Sequence, residues 1–227
     1  MIHIDFKVKA EHRIWTEEFD AEMQIFHIHP GRRRLPTQTV LIRAKKDGFN
    51  YYFQEALSAF QFEYDMNKAQ CAQRMRRERQ LLSEAHNVLG EGMSDTTDID
   101  FDSWADFSTD MDRPDWEEYA DEQSRILASS SWDPHHPMLV PTIHFYRYDG
   151  SLTEPPCGEF VSWFVADIPM EISFGQLEQL KTILFTNVDG NCRKTSVHSA
   201  ESVARPIRPI GRRPVWKCTP ADFGPDP

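Results

Sequence analysis

Apolar and polar residues alternate from the start of the chain. Ile2, Ile4, Phe6 and Val8 fall on one side and His3, Asp5, Lys7 and Lys9 on the other, the period of a half-buried strand over Ile2 to Ala10. After a loop around Thr16-Glu17-Glu18, Phe19 to Ile28 predicts a second strand, and a hairpin is the simplest connection between the two. Thr39-Val40-Leu41-Ile42 predicts a short buried strand. The period then changes: Phe53, Ala56, Leu57 and Phe60 recur at helical spacing within Asn50 to Tyr64, so an amphipathic helix should pack on the sheet. Asp65 to Leu89 lacks Gly and Pro and predicts a second, longer helix, with Arg74, Arg76, Arg77 and Arg79 as a solvated face. From Met138 onward strands return: Leu139-Val140, Thr142 to Tyr148, Phe160 to Val165 and Pro169 to Ser173. Ser173 reads as the N-cap of a helix over Phe174 to Leu184, with Leu177, Leu180 and Leu184 on one face. Six prolines in the last 22 residues predict an extended, irregular end.

The stretch with the most local definition is Tyr148 to Val165, YDGSLTEPPCGEFVSWFV. Asp149-Gly150 is a turn signal, and Pro155-Pro156 fixes two φ angles and removes two backbone donors. A loop bearing Ser151 and Thr153 is thus held stiffly at the mouth of a strand, a suitable place for a polar side chain that points into a pocket.

Charge adds an organisational boundary. The chain has 227 residues and a formal charge of −11, enough length for one decorated domain. The excess is local: Asp95 to Glu122 holds twelve acidic residues and one basic one, Arg113, and the remainder balances 24 acidic against 24 basic. No basic patch dominates, which disfavours nucleic acid as a partner. A segment with eleven excess negative charges belongs at the surface, where Trp104, Phe107 and Trp116 could anchor a protein partner. No apolar run approaches the roughly 18 residues of a membrane span, and the alternating N-terminus does not form a signal-peptide core.

Signals for metal chemistry are weak. Cys71, Cys157, Cys192 and Cys218 are widely spaced with no CxxC, and their pairing stays open. His27 and His29 share a strand side, but no third histidine follows between Pro30 and Gln80, so His27 is expected to be a buried, hydrogen-bonded core residue and His29 a strand end. His135 and His136 lie between prolines and read as loop residues. Asp98, Asp100 and Asp102 begin a calcium-loop spacing that fails at Ser103, where Gly is required, and at Thr109, where Glu is required.

The order SLTEPPC over Ser151 to Cys157 closely resembles the SLTxPPC segment of alpha-class carbonic anhydrases. A second stretch, AEHRIWTEEFDAEMQIFH, resembles the family's SEHxxxxxxFxAExHxxH pattern at Glu11, His12, Phe19, Ala21, Glu22 and His27. Ser173 to Leu180 resembles its SxxQLxxL helix, and Arg205-Pro206-Ile207-Arg208-Pro209 its WRPxQP element with Ala204 in place of Trp. The likeness spans roughly residues 4–29, 38–62 and 138–216. It implies an α+β, carbonic-anhydrase-like domain over residues 1–227, built on a twisted, mostly antiparallel sheet, with residues 65–132 as a helical and acidic insertion. It also implies that the family's N-terminal part is missing. Thr153 would be the residue that orients a zinc-bound hydroxide and Glu11 its acceptor. Leu152, Val161 and Trp163 would line the pocket, which Phe26 would narrow.

Carried over residue by residue, the three zinc-histidine positions fall on Asp5, Lys7 and Gln24. Catalytic zinc takes three N, O or S donors and a water, and an ammonium in that shell repels the cation. The expectation is therefore a catalytically silent carbonic-anhydrase-related module with no cofactor. Its partner would be a protein, touched through 95–122. The competing expectation is an active, zinc-dependent enzyme with atypical ligands drawn from His3, Asp5, Gln24 and His27. By the same resemblance, the chain would be secreted or lumenal if residues precede Met1.

Overall fold

A computed structural model describes residues 3–28, 34–89, 132–196, 202 and 204–219, with backbone alone for 85–89. The expectations for Asp95 to Glu122, for His29 and for the calcium-like spacing lie outside the described residues. Those residues form β1 (His3–Val8), β2 (Ala21–Phe26), β3 (Leu35–Lys45), α1 (Tyr51–Leu89), β4 (Phe145–Gly150), β5 (Val161–Ala166), β6 (Met170–Ser173), α2 (Phe174–Thr186) and β7 (Trp216–Cys218). The sheet runs β1-β2-β3-β5-β4-β7, with β6 on the second half of β3. The β1–β2, β2–β3, β4–β5 and β4–β7 pairs are antiparallel, and β3 is parallel to both β5 and β6.

Strand alternation gives the sheet two unlike faces. On one, Val8, Ala21, Met23, Ile25, Val40 and Ile42 are fully buried under Phe53 and Leu57 of α1 and Leu177 and Leu180 of α2. The two helix starts are joined through Asn50 and Gln176. Asn50 accepts the Phe53 N–H (2.9 Å) as the N-cap of α1, and Ser173 and Gln176 form a capping box on α2. Gln176 also donates to the Asn50 carbonyl (2.7 Å), which fixes both helices over the same patch of core.

Several sequence expectations are corrected. The two helices predicted over Asn50 to Tyr64 and Asp65 to Leu89 are one helix of 39 residues, because nothing between them caps or breaks it. Asp65, expected as the start of an insertion, is therefore an interior helical position. The short strand at Thr39 is the centre of an 11-residue one, whose polar Thr37 and Thr39 hid its extent. Leu139 to His144 is not a strand. Gly150 ends β4 opposite Val161 instead of making a turn; a Cβ there would meet Tyr148 Cε2 at 2.9 Å and Trp163 Cδ1 at 3.1 Å, so glycine serves close approach. Cys71 and Cys192 form a disulfide between α1 and the loop after α2, while Cys157 and Cys218 are free. No helix among the described residues is long and apolar enough to cross a membrane.

Candidate functional site

The face of the sheet turned away from the helices carries the candidate site. The antiparallel register sets Asp5 opposite Gln24 and Lys7 opposite Glu22, so Asp5, Lys7 and Gln24 share one side of β1 and β2. Gln24 faces Thr39 on the next strand, and Phe26 faces Thr37, which faces Trp163. Phe26, Leu41, Val161, Trp163 and Val165 form an apolar cluster on this side, against which Leu152 packs. The loop after β4 closes over the cluster: the Leu152 N–H donates to the Gly158 carbonyl (3.0 Å) and the Trp163 indole to the Ser151 carbonyl (3.1 Å).

Beside that cluster is a buried polar network. Glu22, with no exposure, accepts the backbone N–H groups of Glu11 (3.0 Å) and His12 (2.9 Å), the His12 Nδ1 (3.0 Å) and the Gln24 amide. His12 Nε2 meets the Tyr148 hydroxyl at 2.7 Å, and the His12 ring lies 4.8 Å from the Trp163 ring. Burial alone would push Glu22 up and His12 down. Their mutual attraction overturns both effects, so the Glu22 carboxyl sits below its ordinary value and the His12 imidazole above. Burial, and then the Glu22 charge, raise the Tyr148 phenol.

Glu11 connects this network to the loop. Its carboxylate accepts the Thr153 hydroxyl and the Arg205 N–H (3.3 Å), yet burial and the Glu22 charge leave its pKa raised. With its proton donated to Glu11, the Thr153 oxygen can only accept from a third group. Arg205 also donates to the Cys157 sulfur (3.2 Å), which ties the C-terminal tail to the same loop.

Lys7 is 8% exposed, and its ammonium pairs with Asp5 (3.7 Å) and with Glu154, the residue after Thr153. Asp5, Lys7 and Gln24 therefore meet in space but are unfit as a zinc-donor set. One is a cation already held by two carboxylates, and Gln24, whose Nε2 donates to Glu22 and Glu11, has only a neutral Oε1 to offer, a poor zinc donor. Among the described residues no group of three or more His, Cys, Asp or Glu is arranged to hold a metal.

Sequence reasoning missed Tyr148 and Glu154, which carry no local signal; each acts only through a partner at least 136 residues away. His12 and Glu22 were visible as motif matches, but their mutual pairing was not. His27, expected to be a hydrogen-bonded core residue, is half-buried on the opposite face, and its ring stacks on His135. The strand-side argument for His27 holds; what failed was the assumption that this end of the sheet is fully covered.

Residues 118–219, just under half of the chain, match the model of the eukaryotic-type carbonic anhydrase family. Human mitochondrial carbonic anhydrase 5B is 40% identical over 91 residues, which are 40% of this chain and 26% of that protein. Among solved structures, the alpha-carbonic anhydrase of Thermovibrio ammonificans aligns over 93% of this chain and 60% of its own, with a TM-score of 0.50 and 18% identity. Dioscorin complexed with ascorbate aligns over 94% and 59%, with the same TM-score and identity. The fold is that of carbonic anhydrases, and residues 118–219 are similar to the eukaryotic-type family. The matched stretch is about a quarter of the curated relative's length, and the chain spans about 60% of the solved structures.

Proposed function

We propose that this domain keeps the frame of a carbonic anhydrase site without its metal, and that it serves as a binding or structural module. The observation that carries the reading is the Lys7 ammonium, held between Asp5 and Glu154. If Asp5, Lys7 and Gln24 stand where the family places its zinc histidines, Lys7 supplies in that spot the positive charge that the metal would have brought. The positioning groups remain: Thr153 on Glu11, and Glu22 behind Gln24. Such groups tune a metal through its ligands and lose that role when the ligands are gone. They are retained here as a network that holds loop, tail and sheet together. The fold's presence in dioscorin, solved with ascorbate, is consistent with this scaffold serving proteins under other names.

The test is CO2 hydration by the purified chain with added zinc, expected at the buffer rate. A rate above buffer that disappears on chelation and returns with zinc would establish instead the active enzyme with atypical ligands.

A further inference from the structure

On the helix side of the sheet, the loop from Trp132 to His144 covers β4 and β5 only in part and leaves a groove of about 940 Å³. Phe145 and Phe164, with ring centroids 5.2 Å apart, line it, and Ile143 and Ile168 stand 73% and 49% exposed beside it. Apolar side chains exposed around a concavity of this size are the usual setting of a small-molecule site.

Its charge pattern narrows the ligand. Among the described residues no Asp, Glu, Lys or Arg lines the groove, and its titratable groups are the imidazoles of His27, His135 and His144. The His27 and His135 rings stack with centroids 5.5 Å apart, and the His27 ring is steadied from behind by the Ile25 and Pro36 backbone. Burial holds His27 below its ordinary pKa, a direction that a bound anion would reverse. A permanent positive charge packs on Phe164: the Arg147 guanidinium, 5.8 Å from that ring, whose buried Nε has no hydrogen-bond partner. The carboxylates bordering the groove are already engaged. Asp133 accepts the His135 N–H (2.9 Å) and Asp167 the Thr142 hydroxyl (3.0 Å).

We infer that this groove binds a hydrophobic carboxylate, with its apolar body on Phe145, Phe164 and Ile168 and its head at the His27–His135 pair. A cation would meet imidazoles and no carboxylate, with the Arg147 guanidinium on the Phe164 ring adding repulsion from nearby. A neutral apolar molecule would make no use of the His135 and His144 imidazoles that line the groove. The site lies across the sheet from Thr153 and Glu11, so its occupancy is independent of whether a metal binds on the other face.

Isothermal titration of the full chain with octanoate and with 1-octanol, of equal chain length, separates head from body. Octanoate is expected to bind at least tenfold more tightly than octanol. His27→Phe, which removes the head contact, and Ile168→Asp, which places a carboxylate at the rim, should each weaken octanoate at least tenfold. Near-UV circular dichroism reports whether each variant is folded, and His135→Phe, on the exposed loop, replaces His27→Phe if that variant is not. Absence of octanoate binding, equal affinity for octanol, or affinity unchanged in the folded variants would overturn the assignment.

Discussion

On the helix side, β2 and β3 present Met23, Ile25, Val40 and Ile42 to α1 and α2. On the other side, the same two strands present Glu22, Gln24, Thr37 and Thr39, all fully buried. Both faces exclude water, but they do it with different chemistry. The first is held by apolar burial, which depends on area and tolerates small losses. The second is held by hydrogen bonds and charges centred on Glu22 and Lys7, while the Thr37 and Thr39 hydroxyls and the Gln24 carbonyl oxygen stay buried without a hydrogen-bond partner among the described residues. The difference teaches that a polar face can stay buried in a sheet when its charges are paired internally, as Glu22 is with His12 and Lys7 with Asp5 and Glu154.

The sharpest way to break this comparison is His12→Ala, which leaves Glu22 buried without its charged partner. It should cost about 3–5 kcal/mol, measured by urea unfolding. A loss near that of an exposed salt bridge would mean that the network does not hold this face. Cys71→Ser, which removes the disulfide tying α1 to the loop after α2, should cost about 2–4 kcal/mol; reducing agent should lower the wild-type melting temperature and leave the variant unmoved. On the apolar face, Ile172→Val removes one methylene from a fully buried site and should cost about 1 kcal/mol, so equal losses from Ile172→Val and His12→Ala would erase the distinction.

The pH dependence follows from the same pair. His12 is raised in the folded state, so its contribution is complete below its ordinary 6.5 and is lost as pH rises through the raised value. Glu22 is lowered, so its contribution is present above its ordinary 4.5 and is lost as pH falls through the lowered value. Glu11, raised by burial, opposes folding increasingly as it ionises above 4.5. Thermal melts should therefore peak between about pH 4.5 and 6.5. They should decline on the alkaline side, and His12→Gln should flatten that decline.

The apolar face was the more legible of the two in the sequence. The alternation of Ile4, Phe6 and Val8 and the Ser173 cap each carry a local signal, and the structure places both as expected. The period also set Asp5 and Lys7 on one side of β1, and pairing supplied Gln24. What stayed hidden depends on distant partners. β3 read short because Thr37 and Thr39 are polar, and they are buried only because β2 and β5 flank them. The partners of His12 and Lys7, Tyr148 on β4 and Glu154 on the loop after it, lie more than 130 residues further along the chain. The break expected at Asp65 followed from the start of a charged stretch, which solvent tolerates on a helix that continues.

We propose that Asp5, Lys7 and Gln24 stand together where the family holds its zinc and do not bind it. Zinc stoichiometry after dialysis against a mild chelator tests it directly, comparing wild type with the triple variant Asp5→His, Lys7→His, Gln24→His. The account predicts well under one zinc per chain in the wild type and about one in the variant, since three imidazoles and a water complete a tetrahedral site. Stoichiometric zinc in the wild type, or none in the folded variant, would contradict it.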